Sequence, residues 1–331
     1  MHYRDQYPEL KQLKEDVLIK VEVLAEELLT GKSLGASRNI RQITDLLYDV
    51  AKVSDDSDCN KLIQNLVIIG DFFVETRGKN TPAIGNAIRW VLREIENMKD
   101  TSVYEVRSFV QTRREAYNAQ SIKNVNQIAE YGANLLAGYH TILAFDYSSS
   151  MASILTRLAE RGLKKRIIVP ESRSIDGGRP IAREASKVGH NIEFIVDMAF
   201  TYYLKEVQAV LFGVETFLSN GDGWNTVGSF PIAYMAKAYG IPCYVATELI
   251  KIDPKSYVGK QKSIKHHDYS GLLNYPSSFE HADHINVIAP DLESIPHEYL
   301  SAYITPSGVM LPEHLWHEAK TFLESIGSSL I

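Results

Sequence analysis

Several residue patterns that mark specialised proteins are scarce or missing in this sequence. Cysteine occurs only twice among 331 residues, at Cys59 and Cys243, and neither lies in a CxxC motif. This excludes a disulfide scaffold and a thiolate zinc site, and it favours a reducing compartment. No run of about eighteen apolar residues occurs, and the N-terminal sequence is charged where a signal peptide needs an apolar core. We therefore expect a cytoplasmic protein with no membrane partner.

An excess of positive charge is also missing. The 35 Lys and Arg residues are outnumbered by 41 Asp and Glu residues, the net charge is −6, and no basic run occurs. Nucleic acid is therefore not an expected partner. Neither a GxGxxG fingerprint after a predicted strand nor a GxSxG elbow is present, so we expect no dinucleotide cofactor and no α/β-hydrolase. His266, His267, His281 and His284 lack a clear set of further ligands, so no metal is expected.

The spacing of apolar residues changes near Gly138. Before it, apolar residues recur every three to four positions, which predicts helices. The proline-free stretch 102–137 predicts one long connecting helix or two. After it, short apolar runs predict buried strands alternating with helices: TILAF from Thr141, RIIVP from Arg166, IEFIV from Ile192, QAVLFGV from Gln208, IPCYVA from Ile241 and INVIAP from Ile285. We predict an α/β protein with an all-helical domain, 1–138, and a Rossmann-like, doubly wound, mainly parallel sheet domain, 139–331.

Polar residues follow the first two predicted strands, where ligands of such sheets bind. Asp146, Ser148 and Ser149 come after the first strand and lead into a helix. The serines could bind a phosphate at the helix N-terminus, or they could merely cap the helix. Arg173 lies in the sequence ESRSIDGG after the second strand. Its guanidinium could bind a phosphate or pair with a surface carboxylate.

A third group of polar residues follows the fourth predicted strand. Glu215 is followed by the glycine-containing turn at Asn220 and Gly221, then by Asn225 and a helix that opens near Val227. A carboxylate, a glycine-rich turn and a helix N-terminus together offer a general acid or base beside a polar cradle for a ligand. Glu248 adds a carboxylate after the fifth strand, or only caps a turn.

Two arginines of the helical half lie in loops that precede predicted helices. Arg38 follows Gly35, and Arg77 lies in the segment TRGKNTP, whose Pro82 suits the first turn of a helix. Both arginines could reach an anion.

Four segments together resemble a known family. They are GVETFLSNGDGWNTVGSFPIAYMAKAYGIPCYVATE from Gly213, VPESRSIDGGRPIARE, TRGKNTPAIGNAI and YITPSGVMLP. The chain resembles the family that unites the alpha, beta and delta subunits of initiation factor 2B with methylthioribose-1-phosphate isomerase and ribose-1,5-bisphosphate isomerase. The resemblance implies a helical domain on a Rossmann-like domain, a phosphosugar bound between them, and a homodimer or higher homo-oligomer.

The resemblance also assigns catalytic positions. The family's isomerases use a cysteine and an aspartate to move protons, and these positions hold Asp146 and Glu215 here. The family's asparagine-lysine pair is replaced by Asn225 and Thr226. Converting an aldose 1-phosphate into a ketose needs two groups that handle protons, and two carboxylates serve if their surroundings separate their pKa values.

We therefore predict a sugar-phosphate aldose–ketose isomerase acting on a pentose 1-phosphate or a related phosphosugar, with Glu215 and Asp146 as catalytic residues. The alternative is a non-catalytic sugar-phosphate-binding regulatory protein resembling the initiation factor 2B alpha subunit. The expected phosphate ligands are Arg38, Arg77, Arg173, Ser148 and Ser149. The expected contacts to the rest of the sugar are Asn220, Gly221, Asn225 and Thr226.

Overall fold

The chain divides into two units that do not follow one another in simple order. The computed structural model describes residues 3–29, 35–53, 58–260, 262, 266–268, 284 and 287–328. One unit comprises the described parts of Met1–Lys123, Ile250–Pro254 and Ala319–Ile331, and the other those of Asn124–Leu249 and Lys255–Glu318. The second unit therefore includes residue 138, where the apolar spacing changes.

The first unit is helical. Its main helices are α1 (Tyr3–Gln6), α2 (Glu15–Leu29), α3 (Ala36–Val53), α4 (Cys59–Phe73) and α5 (Pro82–Leu92). In α3, Ile40, Ile43, Leu47 and Val50 recur every three to four residues and are all buried, because one face of the helix packs on its neighbours. A π-helical turn, Val74–Gly78, leads from α4 toward α5.

The stretch 102–137 forms one long helix, α6 (Val103–Leu136), and not two. Its residues through Lys123 belong to the first unit and those from Asn124 to the second. The remaining helices are α7 (Ser149–Glu160), α8 (Gly178–Lys187), α9 (Phe200–Tyr203), α10 (Ser229–Ala238) and α11 (Leu315–Ser325). Within the described part of the chain, no helix has both the length and the apolar content to cross a membrane.

The second unit is built on a seven-stranded sheet. Its strands are β1 (Thr141–Phe145), β2 (Arg166–Pro170), β3 (Asn191–Ile195), β4 (Ala209–Gly213), β5 (Thr216–Phe217), β6 (Gly223–Thr226), β7 (Cys243–Ala246), β8 (His266–Asp268), β9 (Ile288–Pro290), β10 (Leu292–Ile295), β11 (Ala302–Thr305) and β12 (Gly308–Met310). The large sheet has the order β12-β11-β7-β4-β1-β2-β3, and only the β11–β12 pair is antiparallel. The predicted helical region followed by a mainly parallel sheet is confirmed.

The central strands are almost entirely apolar, and the side chains on both of their faces are covered. Ile142 and Ala144 of β1 lie in one core cluster with Leu155 of α7. On β4 every residue is buried, and α10 packs against both β4 and β7. Successive side chains along these strands therefore pack into the core on opposite faces of the sheet.

Two predictions about strands need correction. The apolar run from Ile285 does not add a strand to the large sheet: its described part, Ile288–Pro290, pairs antiparallel with His266–Asp268, and Ile288 is exposed. Residues 285 and 286 lie outside the described residues. Strand β11 pairs with β7 instead. It belongs to the segment AYITPSGVM, in which a turn ending at Gly308 joins β11 to its antiparallel partner β12. The predicted strand from Ile192 forms, but as a partly exposed edge strand.

A buried histidine at the amino ends of β2 and β3 predicts an acid-sensitive stability. The amide of Lys165 donates to Nδ1 of His190 at 3.0 Å, and Nε2 of His190 lies 2.8 Å from the Leu155 carbonyl, so the neutral Nε2–H form satisfies both contacts. Burial, with the charges of Lys164 and Lys165, lowers the pKa of His190 below its ordinary 6.5.

As the pH falls, the unfolded chain takes up a proton at this histidine before the folded chain does. The contribution of the neutral His190 to the free energy of unfolding is therefore fully present above about pH 6.5 and is lost at lower pH. We expect the free energy of unfolding to decline by up to about 1.4 kcal/mol per pH unit through this group. Urea denaturation from pH 7.5 to 5 measures it. His190→Gln should flatten the profile, whereas replacing the exposed His140 by Gln should not; equal slopes in all three proteins would contradict the assignment.

A buried asparagine anchors the segment after β7 to the first unit. Nδ2 of Asn86, in α5, donates to the carbonyls of Ile250 and Ile252, each at 2.9 Å, and all three residues are buried. Asn86→Leu leaves both carbonyls without this donor, so we expect a loss of roughly 2–6 kcal/mol in the free energy of unfolding, since each orphaned group costs about 1–3 kcal/mol. Urea denaturation measures it. The exposed Asn60→Leu should change stability by less than about 0.5 kcal/mol; a similar cost in both variants would refute the anchoring role.

Candidate active site

The two predicted catalytic carboxylates follow neighbouring strands at the point where the sheet order reverses. From β1 the chain proceeds to β2 and β3 on one side, while β4 lies on the other. Phe145 of β1 is level with Phe212 of β4, so Asp146 and Glu215 emerge from adjacent strand ends. This topological switch point is where open α/β sheets bind ligands.

Asp146 is held in an unusual and buried position. Its backbone has φ of 66°, a conformation that few residues without glycine's freedom adopt and that costs energy. The Thr226 hydroxyl donates to its Oδ2 at 2.6 Å, and both side chains are buried. This hydrogen bond ties the carboxylate of Asp146 to the strand that carries Thr226.

Gly177, at the start of α8, provides the space for this carboxylate. A Cβ on Gly177 would lie 1.7 Å from Oδ1 of Asp146, far inside any possible contact. Gly213, the last residue of β4, similarly approaches Ser148, whose Cβ would lie 2.4 Å from a Cβ at position 213. The glycines at these two positions allow main chain to pack directly on the side chains that follow β1.

The two predicted serines have different surroundings. Ser148 is the residue before α7 and is buried, yet its hydroxyl does not cap the helix and has no hydrogen-bond partner among the described residues. Ser149 is exposed and lines a surface groove of about 280 Å³ between α7, Tyr147 and Glu184. Capping therefore does not explain Ser148.

Arg173 lies in a loop whose main chain is held by the carboxylate of Asp197, a residue outside the loop. The carboxylate of Asp197 accepts hydrogen bonds from the amides of Ser172 and Arg173 at 2.7 and 2.8 Å. The guanidinium of Arg173 is half-exposed and stands 3.6 Å from the Glu171 carboxylate. The sequence analysis missed Asp197, which follows the third strand and gives no signal of its own.

The glycine-rich turn predicted at Asn220 and Gly221 lies within a β-hairpin of β5 and β6. Strand β6 pairs with β5 on one side and with β10 on the other. Asn225 and Thr226 lie at one end of this hairpin, where Nδ2 of Asn225 donates to the Ser229 hydroxyl at 3.0 Å. Glu215 lies at the same end, because its amide donates to the Trp224 carbonyl at 2.9 Å.

The predicted contacts Asn220 and Gly221 lie at the opposite end of this hairpin. Asn220 is exposed and bonds Asp222 through both its amide nitrogen and its oxygen. Gly221 has φ of 88°, and its carbonyl accepts a hydrogen bond from Tyr303 at 2.9 Å. Four residues of strand, roughly 13 Å, separate this turn from Thr226. The structure therefore gives Asn220 and Gly221 turn-forming contacts and does not bring them to Asp146.

Glu293 is a half-buried carboxylate that the sequence analysis missed. It lies opposite Asn225 on β10 and accepts hydrogen bonds from the amides of Gly228 and Phe230 at 2.6 and 2.8 Å. Burial raises the pKa of its carboxyl, although these amides act in the opposite direction. The N-terminus of α10 is thus capped by this chain's own carboxylate, a partner 65 residues away that spacing does not reveal.

The two predicted arginines of the first unit differ in burial. Arg38 is exposed in the first turn of α3. Arg77 lies in the π-helical turn, and its Nε is buried without a hydrogen-bond partner in the part of the chain that the structure describes. π-helical turns occur often at functional sites. An anionic ligand would satisfy this nitrogen.

A helical unit, a mainly parallel sheet and polar residues at its switch point define an α/β protein with a candidate ligand site. Residues 32–312 match the Initiation factor 2 subunit family. The chain belongs to this family.

Its relatives include two kinds of isomerase. It is 24% identical over 299 residues to ribose 1,5-bisphosphate isomerase of Pyrococcus furiosus, with 87% of this chain and 90% of that protein covered. It is 29% identical over 210 residues to methylthioribose-1-phosphate isomerase of Fervidobacterium nodosum, with 60% of each covered.

Solved structures share the fold. The 5-methylthioribose 1-phosphate isomerase of Pyrococcus horikoshii OT3 superimposes with a TM-score of 0.74 at 22% identity, covering 92% of this chain and 88% of that one. The translation initiation factor eIF-2B of the same organism gives 0.73 at 20% identity, covering 91% and 98%. At such identities the likeness concerns the fold.

Proposed function

We propose that this protein is a sugar-phosphate aldose–ketose isomerase acting on a pentose 1-phosphate or a related phosphosugar. The observation that carries the proposal is the placement of two carboxylates, Asp146 and Glu215, on adjacent strand ends at the switch point of the sheet. The relatives named for isomerases of ribose 1,5-bisphosphate and methylthioribose 1-phosphate support the same reaction class.

The reaction needs one acid and one base. The anomeric oxygen of an aldose 1-phosphate is esterified, so the ring opens only when an acid protonates the ring oxygen and the bond from C1 to that oxygen breaks. The hydrogen bonded to C2 then moves with its electron pair to C1, while the C2 hydroxyl loses its proton to a base. The products are a ketone at C2 and a phosphorylated CH₂OH group at C1, which conserves all atoms and charge.

The contacts of the two carboxylates indicate which one acts as the acid and which one as the base. The Thr226 hydroxyl donates to Oδ2 of Asp146, so this carboxylate acts as a hydrogen-bond acceptor, and we assign Asp146 as the base. Glu215 is half-buried, and its side chain has no hydrogen bond or ion pair among the described residues, so we assign it as the acid that protonates the ring oxygen. Arg173, Ser148 and Ser149 of the second unit are proposed to bind phosphate. The roles of Arg38 and Arg77 in binding phosphate stay predictions.

Phosphorus and proton NMR with ribose 1-phosphate, ribose 1,5-bisphosphate and methylthioribose 1-phosphate tests the proposal. We expect a ketose phosphate to appear with at least one of these sugars, at a rate proportional to protein concentration. Saturation transfer from protein to sugar without any product would contradict catalysis and favour a regulatory sugar-phosphate-binding protein. The homodimer and the cytoplasmic location stay predictions.

A further inference from the structure

A short turn between β6 and α10 carries two of the predicted sugar contacts, Asn225 and Thr226. We call residues 225–229 the β6–α10 turn. Inside it, the side-chain amide of Asn225 donates to the Ser229 hydroxyl at 3.0 Å, and that hydroxyl donates to the Thr226 carbonyl at 2.7 Å. The Thr226 hydroxyl in turn donates to Asp146. The position of this turn therefore sets the hydrogen bond that Asp146 receives from Thr226.

The β6–α10 turn has no side chain of its own to cap α10. Gly228 stands at the N-cap position, where a polar side chain would normally accept the first free amides of the helix. A side chain does not fit there, because a Cβ on Gly228 would lie 2.7 Å from Cζ of Phe145, the residue before Asp146. The φ of 109° at Gly228 also favours glycine strongly. The cap must therefore come from outside the turn.

Glu293 provides this cap from the neighbouring strand. Its Oε1 accepts hydrogen bonds from the amides of Gly228 and Phe230 at 2.6 and 2.8 Å, and Asn225 lies directly opposite it on β6. A carboxylate suits this position, because the N-terminus of a helix is partially positive and a charged acceptor forms stronger hydrogen bonds than a neutral one. Glu293 therefore ties the start of α10 to the sheet of β6 and β10.

The loss of this tie is expected to reach Asp146. Thr226 lies two residues before Gly228, and its hydroxyl donates to Oδ2 of Asp146 at 2.6 Å. A displacement of about 1 Å at a reacting group lowers a rate by up to about 10²-fold, so a smaller shift is still measurable. Glu293 can therefore affect catalysis without touching the sugar.

We infer that Glu293 is a positioning residue of the proposed active site: by capping α10 it keeps the Thr226 hydroxyl on Asp146, the carboxylate assigned as the base. The inference rests on the proposed function for the role of Asp146. A cap that served α10 alone would stabilise the fold without favouring this hydrogen bond. The two roles therefore predict different kinetics.

A double-mutant cycle on kcat tests the inference. Glu293→Ala removes the cap, and Thr226→Val removes the hydroxyl but keeps the side-chain volume. We expect each change to lower kcat for ketose formation about tenfold, with KM within about threefold of wild type in Glu293→Ala. In the double variant, Glu293→Ala should lower kcat by less than about twofold further, because the hydrogen bond that it protects is already absent.

A milder variant covers the case in which Glu293→Ala does not fold. Glu293→Gln keeps an oxygen that accepts the two amides but removes the charge, so we expect kcat to fall about three- to fivefold with the same coupling to Thr226→Val. Glu313→Gln, the same change at an exposed position of the second unit, should leave kcat unaltered. Thermal unfolding shows whether each variant is folded, and Glu293→Gln decides the cycle if Glu293→Ala is not.

Two kinetic results would overturn the inference. Losses of kcat that multiply in the double variant would show that Glu293 acts independently of Thr226. A rise in KM with kcat unchanged in a folded Glu293 variant would show a role in binding and not in positioning the base.

The wild-type assay separates this inference from the proposed function. Ketose formation without coupling between Glu293 and Thr226 would overturn the inference alone. If no ketose forms, the isomerase hypothesis falls, and calorimetry then measures the same cycle in the dissociation constant of ribose 1-phosphate. Coupling there would support Glu293 as a positioning residue of a binding site, whereas independent effects, or no binding by the wild type, would overturn both hypotheses.

Discussion

Glu215→Gln is expected to lower kcat for the ketose-forming reaction by about 10²–10⁴-fold, the usual worth of a positioned proton donor. Glutamine keeps the size and polarity of the side chain but cannot donate a proton to the ring oxygen. The amide of Glu215 bonds the Trp224 carbonyl through the main chain, so the hairpin should be preserved. NMR time courses give kcat and KM, and thermal unfolding checks that the fold is intact.

Two comparisons make this expectation specific. Glu215→Asp retains an acid with a shorter reach and should recover part of the lost rate. The exposed Glu313→Gln, an identical chemical change in the same unit, should leave kcat unaltered. A kcat within about threefold of wild type in Glu215→Gln would remove Glu215 from the mechanism, because the proton would then come from another group.

Most of the sheet could be predicted because its strands are covered on both faces. The strands β1, β2, β4 and β7 are apolar after their first residue, and all four lie inside the sheet. The hairpin of β5 and β6 could not be predicted in the same way, because its sequence TFLSNGDGWNT is rich in the glycine and polar residues that also mark turns. The prediction of a large-sheet strand that includes Ile288 was wrong, because the apolar residues of a short segment do not determine which strand it pairs with.

The site was predictable to the level of strand ends and not to the level of contacts. Asp146 and Glu215 were predicted because ligands of such sheets bind where strands end, and their catalytic roles are those that the family resemblance implies. The bond between Thr226 and Asp146 joins residues 80 positions apart, and the amides that Asp197 bonds lie 24 and 25 positions away. Such pairs depend on which strands become neighbours, which the pattern along one strand does not encode. Asn220 and Gly221 were predicted as sugar contacts from a glycine-rich motif, but the positive φ of Gly221 is required by the hairpin turn.

Apart from the two carboxylates, Gly177 is the position at which a substitution should change kcat most. Gly177→Ala is expected to lower kcat by roughly 10²-fold, because the added methyl group would lie 1.7 Å from Oδ1 and 2.9 Å from Cγ of Asp146. Gly177 has φ of −72° and ψ of −21°, which alanine adopts readily, so the backbone itself does not oppose the change. The effect must therefore come from displacing the carboxylate and breaking its bond to Thr226. Stability should fall by about 1–3 kcal/mol through overpacking.

A double-mutant cycle isolates this contact. Asp146→Gly removes the carboxylate and suits the φ of 66° at that position, so Gly177→Ala added to it should cost little further stability. Gly138→Ala is the matched control, since no atom lies within 4 Å of the Cβ it would add, and it should change neither kcat nor stability appreciably. If Gly177→Ala destabilised the wild type and the Asp146→Gly protein equally, its cost would not arise from Asp146. The carboxylate would then not depend on this glycine for its position.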